Sequence, residues 1–211
     1  MVEDKELEKG LKELRENGKD RKFDQTVDLI INLTQFNNKK EGLNLFVQVP
    51  HKIKDKKICG FLESKNNQVD TITFQEFKKY QNDKKALKNL EKSYDFFIAQ
   101  GSLMPKVATT FGRVLGPVGK MPSPQMGIIL NADEKTIKEL KEKINKGIKI
   151  RTKEASVKVP IGKQSMKDEE LIDNINAVYN SVFGALPKNK ENIKNVEIKF
   201  TMSKPYKIWI K

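Results

Sequence analysis

The run Tyr94-Asp95-Phe96-Phe97-Ile98-Ala99-Gln100, followed at once by Gly101-Ser102, decides how the chain is read. Phe96 to Ala99 are all apolar and leave no polar face, the pattern of a parallel strand buried on both sides. Gly101-Ser102 then opens a helix expected to reach about residue 110. Strand followed by helix is the repeating piece of an α/β layer. Upstream, residues 57–62 predict a second strand, and residues 83–92 a helix carrying Leu87 and Leu90. Downstream, Gly and Pro are so frequent in residues 111–127 that a long irregular loop is expected. Residues 133–147 predict an amphipathic helix with Ile137, Leu140 and Ile144 on one face and Gly147 as its stop.

The flanks differ from this middle. On the N-terminal side, Leu7, Leu11 and Leu14 mark one stripe of a helix over about 4–17, with Gly18 as its stop. Val27, Leu29, Ile31 and Leu33 alternate in a strand near 25–33. Leu45, Val47 and Val49 do the same near 44–49, and Pro50-His51 breaks the pattern. On the C-terminal side, strands are expected at 148–152 and 155–160. Ser165 can cap a helix over 168–184, whose Leu171, Ile172, Ile175, Val178, Tyr179, Val182 and Phe183 face a core. Pro187 ends it. Val196, Ile198 and Phe200 then alternate in a final hairpin closed by Ile208 and Ile210. Neither flank holds enough apolar surface to stand alone. Together they predict one sheet covered by helices, with the middle block inserted between hinges at about 50–53 and 147.

Charge narrows the function. The 211 residues carry 41 Lys and Arg against 28 Asp and Glu, a formal net charge of +13. Residues 1–52 balance at ten and ten, residues 53–147 carry 18 against 11, and residues 148–211 carry 13 against 7. A basic surface of this size points to a polyanionic partner. No window of about 20 apolar residues exists, so a membrane span is not expected, and residues 1–14 do not resemble a secretory signal. One cysteine, Cys59, excludes an internal disulfide framework, and one histidine, His51, removes most zinc and triad chemistry. No cofactor or metal site is expected.

The loop Gly112-Arg113-Val114-Leu115-Gly116-Pro117-Val118-Gly119-Lys120-Met121 suggests a phosphate cradle only at first sight. Met121 stands where a Walker loop needs Ser or Thr, and Val114 where it needs Gly. The glycines at 112, 116 and 119 miss the dinucleotide spacing as well. A nucleotide-dependent enzyme on the middle block is thus a weak alternative. His51 suits packing or hydrogen bonding, and Cys59 a core position. Asp168, Glu169 and Glu170 suit a helix first turn, where they complement the dipole. The tail says more. With Val196, Ile198 and Phe200 on one face, Lys199, Thr201 and Ser203 are expected on the other, a lysine and two hydroxyls beside a turn. Short polar groups of this kind suit a sugar-phosphate backbone, and 2′-hydroxyl contacts would favour RNA.

Several stretches together resemble a known family. Leu115-Gly116-Pro117-Val118-Gly119-Lys120-Met121-Pro122, with Pro124 beyond, is similar to the signature loop of the universal large-subunit ribosomal protein one family, the L-one stalk proteins. Lys22-Phe23-Asp24-Gln25-Thr26-Val27 resembles that family's lead-in to its first strand, and Pro50-His51 its hinge. Asp95 to Ala99 and Leu103-Met104-Pro105 look like the archaeal branch. Val159-Pro160-Ile161-Gly162-Lys163 with Ser165 resembles the strand-to-helix link, and Thr201-Met202-Ser203 stands where the family has Thr-Met-Gly. Val118 replaces the family's usual Arg, and Ser203 its usual Gly.

The resemblance implies a split, RRM-like α+β domain from residues 1–52 plus 148–211, with an inserted α/β, Rossmann-like three-layer domain at 53–147. It implies a non-enzymatic, cytoplasmic, ribosome-associated protein, monomeric off the ribosome. Its partner would be the stalk of large-subunit ribosomal RNA near the tRNA exit site, with exit-site tRNA and its own mRNA, whose translation it would repress, as further partners. By motif match, RNA contacts would fall on Phe23, Thr201, Met202 and Ser203, with Lys22, Arg151, Lys153, Lys158, Lys163 and Ser165 in support. Glu13, ten residues before Phe23, stands where relatives carry a Glu at the RNA surface. A free regulatory RNA-binding repressor with no ribosomal role is the nearest alternative.

Overall fold

The computed structural model describes residues 4–17, 21–37, 42–81, 83–124, 126–130, 133–152 and 154–208. Gly18, Lys153 and Ile210, singled out above, lie outside these residues. The chain opens with α1 (Asp4–Glu16), β1 (Thr26–Leu33) and β2 (Asn44–Gln48). Then come β3 (Ile58–Leu62), β4 (Asp70–Thr73), α2 (Phe77–Gln81), α3 (Lys84–Ser93), β5 (Phe96–Gln100), α4 (Met104–Val118), β6 (Ile128–Ile129) and α5 (Glu134–Asn145). The chain continues with β7 (Gly147–Arg151), β8 (Ser156–Lys163), α6 (Asp168–Ala185), β9 (Ile193–Phe200) and β10 (Tyr206–Ile208). Contacts group these into two compact units, residues 1–54 with 146–211, and residues 55–145.

The first unit is built on an antiparallel sheet in the order β10-β9-β1-β8. Alternation decides its faces. Val27, Leu29 and Ile31 of β1, with Val157 and Val159 of β8 and Val196, Ile198 and Phe200 of β9, are all buried. The same core takes Leu7, Leu11 and Leu14 of α1 and Leu171, Ile175, Val178 and Val182 of α6. β2 does not join this sheet. It pairs with β7 in a separate antiparallel ribbon, Asn44 opposite Arg151 and Gln48 opposite Gly147. The flanks therefore make two sheets where the sequence predicts one.

The second unit carries a parallel sheet in the order β4-β3-β5-β6. Neighbouring residues of β3 and β5 point to opposite faces, and both faces are covered. Cys59, Phe61, Phe97 and Ala99 pack with Leu87, Leu90, Val107 and Phe111. Ile58, Leu62 and Ile98 pack with Ile137 and Ile144 of α5. The unbroken apolar run from Phe96 to Ala99 is the sequence trace of this two-sided burial.

Three local expectations fail. The helix after β5 does not stop near residue 110; α4 continues through Val118. Val107, Phe111 and Leu115 form one buried stripe a turn apart, and burying it outweighs roughly 1 kcal/mol for each of Gly112 and Gly116. Pro117 falls in the last turn, and Gly119, at φ 80°, closes the helix. The Lys120 N–H donates to the Leu115 carbonyl and the Gly119 N–H to Gly116, a Schellman end. Gly147 does not cap α5. It is the first residue of β7, where a Cβ would lie 1.8 Å from the Phe46 ring. Nor does Ser165 cap α6. Lys167 holds that position, its N–H donating to the Glu170 carboxylate, while Ser165 turns to Asp24.

Candidate nucleic-acid interface

Three segments far apart in sequence meet at one end of the four-stranded sheet. They are the lead-in to β1, the link from β8 to α6, and the turn from β9 to β10. Register brings them together, since Thr26 lies opposite Lys163 and Val27 opposite Phe200. Gln25 is the joint, at 2 % exposure. Its carbonyl accepts the Gln164 N–H at 2.8 Å. Its side-chain Nε2 donates to Gln164 Oε1 at 3.2 Å, and its Oε1 accepts the Met202 N–H at 3.1 Å. A buried amide is stable only with such partners, so it fixes both neighbouring segments.

Around Gln25 the hydroxyls and charges are paired within the fold. Thr201 Oγ1 accepts the Thr26 N–H at 3.0 Å, and the Thr201 N–H donates to the Thr26 carbonyl at 3.1 Å. Lys163 Nζ donates to Thr26 Oγ1 at 3.0 Å. The Asp24 carboxylate accepts both the Ser165 N–H and its hydroxyl. Arg15 of α1 clamps the link from behind. Its guanidinium donates to the Gln164 and Met166 carbonyls and to Asp168 Oδ1, the last at 2.7 Å.

The β9 strand ends at Phe200, so its alternation does not extend to residue 203. Thr201 and Ser203 lie in the turn. Ser203 is half-buried, and its hydroxyl faces inward rather than outward as expected. It accepts the Phe200 N–H at 2.8 Å and donates to the Lys204 carbonyl at 3.0 Å. Two apolar side chains face solvent here, Phe23 at 52 % exposure and Met202 at 59 %. Lys22, Thr201 and Ser165 are exposed beside them. Glu13 borders the same turn across a groove of about 490 Å³, shared with Met202 and Ser203.

The remaining expected residues are spread out. Lys158 sits in mid-β8 opposite Ile30, its ammonium 3.4 Å from the Glu154 carboxylate. Arg151 ends β7 in the separate ribbon, where it and burial push Lys149 below the ordinary lysine range; burial is the larger cause. Burial also raises Asp28 above the usual carboxylate range, against the pull of Lys199 and Lys163. Sequence reasoning missed Arg15, Asp24, Gln25 and Gln164 as the scaffold. A glutamine just before a strand carries no signal of burial, and Asp24 and Gln25 stood in a recognised motif without an assigned role.

His51 behaves as expected. Its N–H donates to Asn174 Oδ1, and its ring lies 3.1 Å from Asp173. Lys120 of the Gly/Pro loop turns inward. Its ammonium donates to the Glu91 and Tyr94 carbonyls at 2.6 and 2.9 Å and pairs with the Glu91 carboxylate at 3.0 Å. It is therefore no phosphate ligand. Burial pushes the Cys59 thiol up to about 12, so it is no nucleophile. Among the described residues, no group of His, Cys, Asp and Glu could hold a metal ion, and no helix is long and apolar enough to cross a membrane.

Comparison with known proteins adds to this geometry. Residues 11–204 match the sequence model of the Ribosomal protein L1p/L10e family. The large ribosomal subunit protein uL1 of Methanococcus voltae is 38% identical over 202 residues, covering 91% of this chain and 92% of that protein. Its counterpart in Nanoarchaeum equitans is 36% identical over 202 residues, 91% of this chain and 94% of that one. That of Pyrobaculum islandicum is 35% identical over 205 residues, 92% and 89%.

Proposed function

The chain belongs to the ribosomal protein L1p/L10e family, and from that premise we propose that it is a constituent of the large ribosomal subunit that binds ribosomal RNA through the end of its four-stranded sheet. The observation that carries the reading is that Phe23 and Met202 are both exposed at this end of the sheet, on segments tied together through Gln25 and Thr26. A rigid surface loses little freedom on binding, so its contacts are not offset by ordering. Exposed apolar side chains suit base or ribose faces, and the lysines around them suit phosphates.

In this reading residues 1–52 and 148–211 form a split RNA-binding domain and residues 53–147 an inserted one; the two contact units support it. The RNA is the stalk near the tRNA exit site. Phe23, Thr201 and Met202 touch it directly, and Lys22, Lys158 and Lys163 supply charge. Ser203 acts by shaping the turn. The protein works in the cytoplasm on the ribosome, without catalysis, and a similar site on its own mRNA serves translational repression. Exit-site tRNA is a neighbour of the same stalk.

A filter-binding titration against a stalk fragment of large-subunit ribosomal RNA tests this. With about six phosphates neutralised, log K should fall against log salt with a slope of roughly −4 to −5. A slope near zero, or failure to sediment with large subunits, overturns the reading.

A further inference from the structure

We infer that the groove between the end of α1 and the β9–β10 turn holds one nucleotide of the bound RNA, turned out of its stack, with its phosphate at Arg21 and Lys204. This rests on the RNA-binding reading above and adds residues and a ligand form to it. The groove's volume, about 490 Å³, lies within the roughly 300–1,000 Å³ of small-molecule sites.

Its lining divides in two. Gln25 and Ser203, at the back, are committed to the internal hydrogen bonds described above. The side chains of Glu13, Asn17, Arg21, Lys204 and Tyr206, which also line it, have no hydrogen-bond or ionic partner among the described residues. Five polar groups converge on one space while their neighbours are satisfied. Leu14, Pro205 and the Tyr206 ring add an apolar wall. That ring is held against α1, where a Cβ on Gly10 would come within 2.7 Å of it.

The mixture selects the occupant. Two cations suit a phosphate, but a plain anion site has no use for Glu13. A carboxylate facing a polyanion is unfavourable unless it accepts a hydrogen bond from the ligand. The occupant must therefore offer an anion, an apolar face and N–H or O–H donors together. A nucleotide with an unpaired base edge does so, and a carboxylate favours guanine, whose Watson–Crick edge presents a ring N–H and an amino group side by side.

The test uses the full chain and the stalk fragment of large-subunit ribosomal RNA at fixed salt. Arg21→Gln, Lys204→Gln and Asn17→Ala should each weaken binding about three- to tenfold with unchanged thermal melting. Lys190→Gln and Lys194→Gln, which remove the same charge elsewhere, should change it about twofold or less. Glu13→Gln is the sharpest arm. It should weaken binding although it removes a negative charge; stronger binding overturns the inference. Single abasic replacements along the RNA should reveal one position that costs about tenfold and is not additive with Asn17→Ala. If every abasic RNA binds like the intact one, no base is held in the groove. Should the parent chain itself not bind the fragment, the function reading falls and this inference with it. If the parent binds and the groove variants match it, this inference alone falls.

Discussion

At the end of the first unit's sheet, Arg21 and Lys204 line a groove with no partner among the described residues, in front of a buried scaffold centred on Gln25. In the second unit, Lys120 stands in a loop whose Gly, Pro and Lys content looks better suited to an anion. Its ammonium is nevertheless taken up by Glu91 and by two carbonyls. Sequence shows that a lysine is present in both places. Only the fold shows where each ammonium goes. A cation is withheld from a ligand when the fold buries it among several partners, as Lys120 is and the exposed Lys158 is not, and that follows from what packs behind it rather than from the loop around it.

The strongest way to break this contrast is at Gln25. Gln25→Leu leaves the Met202 N–H and Gln164 Oε1 unpaired and should cost roughly 2–4 kcal/mol of stability. Stalk RNA affinity should fall about tenfold or more as the turn loosens. Gln25→Glu keeps the acceptor for Met202 but loses the donor to Gln164 and buries a carboxylate, so it should recover little of either stability or binding. Denaturant melts and filter binding read both effects, and normal binding by Gln25→Leu would show that the turn needs no anchor. Next is Lys120→Met, which strands the Glu91 carboxylate. It should destabilise the second unit by about 1–3 kcal/mol and leave RNA affinity unchanged; a binding defect in a folded variant would mean that this loop meets RNA after all.

Ser203→Gly removes the hydroxyl that accepts the Phe200 N–H. A loss of about 1 kcal/mol in thermal stability is expected, with affinity within about threefold of the parent. A larger loss of affinity would return the hydroxyl to the interface. Smallest is Asp28→Asn. Burial raises the Asp28 pKa, so the folded chain keeps this proton to higher pH than the unfolded chain does. Its ionisation thus works against the fold as pH rises through the raised pKa. The amide should stabilise by about 0.5 kcal/mol or less at neutral pH, since the group is only half-buried, and the gain should vanish below about pH 4. A melting temperature series across pH decides the sign.

Much of the fold is legible wherever one periodicity dominates. The alternation of Val27, Leu29 and Ile31, the leucine stripe of α1 and the dense run from Phe96 to Ala99 each report how many faces are buried. Legibility ends where two signals compete. In residues 111–118 the glycines and Pro117 argue for a loop while Phe111 and Leu115 continue a helical stripe, and the stripe prevails. Pairing is also invisible along the chain: nothing in Asn44–Gln48 says that it takes Gly147–Arg151 as its partner and leaves β1. At the candidate interface, the family resemblance named Phe23 and Met202, and nothing in the sequence named the buried Gln25 that positions Met202. Neither an exposed apolar side chain nor a satisfied polar group in a core leaves a mark in composition.

The central position of β1 sets an order of events during synthesis. Its neighbours in the sheet are β8 and β9, and Thr26 waits for Lys163, 137 residues on, and for Thr201, 175 residues on. At roughly 5–20 residues per second that delay is on the order of ten seconds or more. Through it β1 presents two unpaired edges, while residues 55–145 are complete and can fold as a contiguous block. The proposed RNA surface is therefore the last part of the molecule to exist. A nascent chain carries a finished middle unit long before that end of the sheet is assembled, and the unpartnered β1 is the segment on which misassembly during slow translation should begin.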